Sequence, residues 1–272
     1  TLMTPDIACM VMSIAGYFWS GPLPLVEVTT LRQDVETFGR HAKVAYTADW
    51  ETDARRRDFT MNALYCDAGG EVLDCVGGYA DLLARRVRFI GDPHARIRED
   101  YLRILRFFRF SATYGEGKLD ADGLEASIAE RAGLDGLSAE RIRAEFVKLL
   151  IAPHAPAAIE AMAHAGLIGR ILGAVAHLPA LSSMAESDRR NGDKPDAMLR
   201  LAALTVRIEE DGERLAERLR LSNAEADALG LAARHREFQA IRDERSGRAA
   251  LYRLGSERYG FALRLAAALD PG

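Results

Sequence analysis

Beyond residue 96, apolar side chains recur every three or four positions. This period predicts helices over 97–114, 122–132, 138–151, 154–166, 195–209, 213–220, 223–237 and 247–268. Ahead of them the pattern is shorter and mixed. "LVEVTTL" (25–31) reads as a strand with Glu27 on one face, and the polar stretch 32–50 that follows reads as a mobile loop. From Thr47 to Arg57 the acids come first and the arginines last, which suits a short helix complemented at both dipole ends. Two apolar runs around Asp67-Ala68-Gly69-Gly70 predict a β-hairpin. "GGYADLLARRVRFIGDP" (77–93) supplies a glycine pair, a short helix and a strand that closes at Gly91-Asp92-Pro93. The polar run 182–196 reads as a linker. The pattern predicts an α+β protein, a small sheet with helices followed by an all-helical part.

Composition narrows this picture. A chain of 272 residues, 49% apolar and 28% charged, is that of a globular protein with room for more than one domain. The net charge of −4 gives no global attraction for nucleic acid, so any such binding must rest on a local patch. One exists: residues 81–109 hold eight arginines against Asp81, Asp92, Glu99 and Asp100. That patch suits triphosphate and RNA. Cys9, Cys66 and Cys75 lack disulfide or zinc spacing and read as small apolar packers in a reducing compartment. The six histidines form no ligand pair and read as mostly helix-surface residues. The apolar run 7–19 is too short to span a bilayer and reads as a buried strand or helix.

The most informative segment is "IREDYLRILRFFRF" (97–110). On one continuous helix, at ~100° per residue, Glu99, Asp100, Arg103 and Arg106 would share an arc of roughly 120°. Tyr101, Ile104, Leu105 and Phe108 would lie opposite, facing a core, while Phe107 and Phe110 would sit among the charges. Asp100 and Arg103 then form either an intrahelical ion pair or a template for a base edge. An ionised Asp only accepts hydrogen bonds and an Arg only donates them. Cytosine and adenine each offer an amino donor beside a ring-nitrogen acceptor, so the pair satisfies both. Uracil and guanine present the reverse order and would leave buried polar groups unpaired, at about 1–3 kcal/mol each.

The run from "ARRRDFTMNALYCD" through "FIGDPHARIREDYLRILRFFRF" resembles the core of class II tRNA nucleotidyltransferases, the CCA-adding enzymes, and of bacterial poly(A) polymerases, from about Glu27 through the helix at 138–151. The resemblance implies that Arg57, Asp58 and Asn62 handle the ribose and phosphates of the incoming nucleotide, with Arg57 and Asp58 counted as catalytic. It implies that Asp100 and Arg103 read the base, with Glu99 beside them, and that Arg106 and Arg109 contact triphosphate or orient the template. Glu140, Arg141 and Glu145 would brace that template, and Gly77, Gly78, Gly91 and Asp92 would punctuate a hinge. The implied architecture is a partial nucleotidyltransferase head (1–91), a helical neck with the nucleotide-base template and RNA-binding part (92–180), and a helical body (181–272).

One departure matters. The Gly-Gly-x-Val-Arg-Asp turn and the Asp-x-Asp pair of this family are not found, and residues 1–24 hold a single acid, Asp6. The family's Mg2+ is therefore expected without its ligands here, and no metal ligand is assigned. Glu27 could serve only as an accessory carboxylate. The first residue, Thr1, suggests a fragment, while the unfamiliar "MTPDIACMVMSIAGYFWSGPLP" suggests a rearranged relative. The expected function is template-independent addition of C and A from CTP and ATP to tRNA 3′ ends, in a cytoplasmic protein without a membrane partner. This polypeptide alone is expected to transfer nothing. The alternatives are poly(A) polymerase or an A-adding enzyme, and a non-catalytic RNA-binding remnant.

Overall fold

A computed structural model describes residues 30–38, 41–67, 69–241 and 243–269, with the side chains of all of these but 33–44. The expected strand around Glu27, the apolar run 7–19 and Cys9 lie outside the described residues. The chain divides into two compact units, Thr1–Asp100 and Tyr101–Gly272.

In the first unit, the segment read as a loop is an antiparallel hairpin, β1 (Arg32–Phe38) with β2 (His41–Tyr46), whose register shifts between Asp34 and Glu36. Its sequence is too polar for hydrophobic alternation to reveal it, because the pairing lies in the backbone hydrogen bonds. Helix α1 (Trp50–Arg55) starts where the acids predict, with the Asp49 carboxylate accepting from the N–H groups of Glu51 and Thr52. A 3-10 turn (Thr60–Ala63) leads into the second expected hairpin, β3 (Leu64–Cys66) with β4 (Val72–Asp74). Asp67 ties its turn by accepting from Gly69 N–H and Glu71 N–H, both at 2.8 Å. Helix α2 (Gly78–Leu83) follows, and Gly78 has to be glycine, since a Cβ would stand 2.1 Å from the Thr60 carbonyl oxygen. The strand expected after α2 shrinks to one antiparallel bridge, Phe59 with Phe89, closed by Thr60 N–H to Arg88 O and Ile90 N–H to Asp58 O. Leu31, Ala54, Ala63, Tyr65 and Ile90 form the core here, with Trp50, Cys75 and Val76 packed against them. Helix α3 (Pro93–Glu99) closes the unit, capped by Asp92.

The single helix expected over 97–114 is two. Asp100 is extended, at φ −155° and ψ 106°, so α3 stops at Glu99 and α4 (Leu102–Tyr114) starts afresh. The facing of Asp100 and Arg103 on one continuous helix therefore does not hold.

The second unit is helical. After α4 come α5 (Ala121–Ala129), α6 (Ala139–Leu150), α7 (Ala155–His164) and α8 (Leu167–Leu172). Then follow α9 (Leu178–Asn191), α10 (Ala197–Thr205), α11 (Glu209–Leu219), α12 (Asn223–Ala233), α13 (His235–Gln239), α14 (Glu244–Leu254) and α15 (Ser256–Leu269). Helix α4 packs on α6 and α7 through Ile104, Leu105, Phe107 and Phe108, all fully buried. Phe107, placed among the charges by the helical wheel, is instead a core residue. Its ring lies over Gly123, where a Cβ would come within 2.8 Å.

The linker expected at 182–196 is largely helix α9. Its exposed charges pair along the helix, Arg189 with Glu186, while Asp188 is buried against Arg200 at 3.0 Å and Arg264 at 2.6 Å. His235 is buried rather than on the surface, with Nδ1 3.2 Å from Ala232 O. Cys66 and Cys75 are free and half-buried.

Candidate functional site

In the first unit the chemistry gathers around one carboxylate. Asp53 is 0% exposed. Its Oδ1 accepts from the Arg32 N–H at 2.9 Å and from Arg56 at 2.9 and 2.6 Å. Its Oδ2 accepts from the Tyr65 hydroxyl at 2.7 Å and from Arg57 Nε at 3.1 Å. Burial pushes this carboxyl up, but the Arg32 N–H, the Tyr65 and Arg56 hydrogen bonds and the Arg57 charge outweigh it and hold it at about 2. Burial, and then the hydrogen bond to Asp53, push the Tyr65 phenol up.

Arg57, Asp58 and Asn62 are brought together at the end of α1. Arg57 donates from Nη1 to Asn62 O at 3.2 Å and lies over the Tyr65 ring, 5.4 Å from its centroid. The Asp58 carboxylate is nearly buried and accepts from Phe59 N–H and Asn62 Nδ2, both at 3.0 Å. The turn is braced below by Asp81, whose Oδ2 accepts from Thr60 Oγ1 at 2.6 Å and Arg88 Nε at 2.9 Å. Gly77 and Gly91 both have positive φ, 77° and 73°, on either side of this brace. Asp100 ends α3 with its N–H bonded to Ile97 O at 3.1 Å.

In the second unit Arg103, Arg106 and Arg109 share α4. Arg106 and Arg109 converge on the buried Glu145 of α6, at 3.9 and 2.6 Å, and both guanidinium groups lie over the Phe110 ring, 5.3 and 4.1 Å from its centroid. Tyr101, at the start of α4, packs against Gly133, where a Cβ would come within 2.0 Å of the ring. Glu140 pairs with Arg220, at 3.3 Å.

Sequence reasoning missed Asp53, Tyr65 and Arg96. The spacing held a signal for the first, since Arg56 and Arg57 follow Asp53 by three and four residues, where helical side chains meet. Among the described residues no three His, Cys, Asp or Glu side chains come together in a way that could hold a metal ion. Asp53, the carboxylate at the centre of the described cluster, has both oxygens engaged by guanidinium, phenol and N–H donors, and the described donor set does not fit Mg2+. Among the described residues no helix is long and apolar enough to cross a membrane.

Residues 12–88 match the family described as "Poly A polymerase head domain", and residues 118–178 match "Probable RNA and SrmB-binding site of polymerase A". The head match starts at residue 12, ahead of the Glu27 limit that the motifs suggested. The chain is 43% identical over 214 residues to the mitochondrial CCA tRNA nucleotidyltransferase 1 of Danio rerio, covering 75% of this chain and 47% of that protein. It is 43% identical over 144 residues to the CCA-adding enzyme of Streptococcus gordonii, covering 52% of this chain and 36% of that protein. The crystal structure of the Bacillus stearothermophilus CCA-adding enzyme in complex with CTP superposes with a TM-score of 0.70 at 27% identity, covering 91% of this chain and 61% of that one. The chain thus spans about half the length, or less, of the curated relatives it matches.

A small head built on short hairpins, followed by a run of helices, is the architecture of a nucleotidyltransferase head with its helical body. The chain belongs to the family of class II CCA-adding tRNA nucleotidyltransferases and poly(A) polymerases.

Proposed function

We propose that this chain supplies the nucleotide-selecting and RNA-contacting parts of a CCA-adding tRNA nucleotidyltransferase, with CTP and ATP as donors and the tRNA 3′ end as acceptor. In this reading Arg57, Asp58 and Asn62 hold the ribose and phosphates, and Asp100 and Arg103 select the base. Arg106 and Arg109 meet triphosphate or orient the template. The head would run over 1–91, the neck over 92–180 and the body over 181–272, working in the cytoplasm. Mg2+ is the metal this family leads one to expect, and no step is assigned to it on the residues described.

The observation that carries the reading is the pinned Arg57–Asp58–Asn62 turn, because a donor already fixed by Asp53 and Asn62 loses little freedom on meeting a phosphate or a ribose hydroxyl. The two relatives named CCA-adding or CCA tRNA nucleotidyltransferases support it. The test is equilibrium dialysis of the 272-residue chain with each of the four labelled nucleoside triphosphates. CTP and ATP are expected to bind about tenfold or more tighter than UTP and GTP, the factor that ~1.4 kcal/mol represents. Equal binding of all four overturns the base-reading role. The descriptions of the two matched families favour one second reading, a poly(A) polymerase, in which ATP binds and CTP is refused along with UTP and GTP.

A further inference from the structure

Arg96 belongs to α3, and its side chain is only 11% exposed. Its guanidinium reaches back across some forty residues of sequence, with Nη2 donating to the carbonyl oxygen of Arg56 at 2.6 Å and to that of Arg57. The other terminal nitrogen, Nη1, donates to Glu99 Oε2 at 2.5 Å. One planar group thus grips the main chain of the Arg57–Asp58 turn and the last residue of α3, next to Asp100. Arg57 is held at both ends, its guanidinium by Asp53 and its carbonyl by Arg96.

We infer that Arg96 is a positioning residue for nucleotide selection: it fixes the ribose-and-phosphate element Arg57–Asp58 against the base-reading end of α3, Glu99–Asp100. The inference rests on the nucleotide-binding reading given above. Its logic is geometric. A base is selected only if sugar and base edge are offered to their partners together, so two elements that drift apart still bind nucleotide but no longer tell one base from another. A planar fork can bridge three oxygens on two elements, and the compact ammonium of lysine cannot do so in the same plane.

The test compares CTP and UTP dissociation constants for the unvaried chain, Arg96→Lys and Arg96→Met, with thermal unfolding of each. A purely structural role lowers the folded fraction, which weakens CTP and UTP binding by the same factor and leaves their ratio unchanged. A positioning role moves the ratio. The expected result is a fall of about tenfold in CTP-over-UTP preference in Arg96→Lys, equivalent to ~1.4 kcal/mol. Arg96→Met should do the same if it folds, and Arg96→Lys decides if it does not. A preserved ratio in Arg96→Lys overturns the inference while leaving the nucleotide reading intact. If the unvaried chain itself shows no preference for CTP, that reading falls and the inference falls with it.

Discussion

Replacing Asp53 with asparagine removes the charge on which the Arg57 turn depends. The carboxylate accepts from two guanidinium groups, a phenol and a backbone N–H, and asparagine offers one acceptor oxygen and turns an NH2 toward donors. Holding a carboxyl at about 2 rather than 3.8 is worth ~2 kcal/mol of stability at neutral pH. Unpairing the two arginines adds to this, though both stay about a quarter exposed and can turn to water. The total expected cost is about 2–4 kcal/mol at pH 7. The pH dependence follows from the sign of the shift. Because the folded carboxyl is depressed, its contribution is complete above about pH 4 and is lost as pH falls from about 4 toward 2. The assay is urea unfolding of the chain and of Asp53→Asn followed by tryptophan fluorescence, since Trp50 belongs to the first unit. Trp50 stands edge-on to Tyr65 at 4.8 Å and so reports on this site. The stability gap between the two proteins should narrow by ~2 kcal/mol between pH 7 and pH 2. A gap that stays constant over that range would refute the assignment of Asp53 as a charged hub.

In the second unit, Gly133→Ala would put a methyl group within 2.0 Å of the Tyr101 ring, forcing the ring off the 3-10 turn Arg131–Gly136. A loss of about 1–3 kcal/mol is expected, measured by thermal unfolding, and Tyr101→Ala in the same chain should recover part of it. Asp188→Asn would strand the charge of the buried Arg200, whose remaining bonds are to the carbonyl oxygens of Leu150 at 2.7 Å and Ala152 at 3.5 Å, and should cost about 3–5 kcal/mol. The double variant Asp188→Leu with Arg200→Met is expected to regain most of that loss in chemical denaturation, because no fully buried charge is then left alone: Arg264, which also loses Asp188, is about a third exposed and keeps Asp193 at 3.8 Å.

What could be read in the sequence depended on how far each signal acts along the chain. Most helices of the second unit were legible because their apolar faces repeat within a few residues, although the runs 223–237 and 247–268, read as one helix each, are two apiece (α12 with α13, α14 with α15) and α8 was not foreseen; the acid-first helix at Trp50–Arg55 and the hairpin around Asp67 were legible too. The β1–β2 hairpin was not, since its order comes from backbone pairing in a polar stretch. Nor was the break at Asp100, because no Gly or Pro marks it, and the Tyr101 ring that opens the next helix is seated on Gly133, far along the chain. The run at 182–196 failed for the converse reason: charges that looked like linker chemistry are the solvent face of a helix whose inner side buries Asp188. Arg57, Asp58 and Asn62 could be named from motif alone, but the residues that hold them, Asp53 and Arg96, are defined by burial and by contacts across the fold.

That distinction bears on how such a turn can bind an anion. Arg57 has five N–H donors, and its bonds to Asp53 and Asn62 engage three of them. A guanidinium held this way keeps two donors for a phosphate or a ribose hydroxyl while its plane is already set, so little side-chain entropy is lost on binding. The same arrangement lowers the net positive charge that a triphosphate would meet in the proposed function, since Asp53 offsets one of the two neighbouring arginines. On the proposed function, selectivity at this turn would rest on direction more than on charge, and would depend on whatever keeps the Arg57 side chain from rotating.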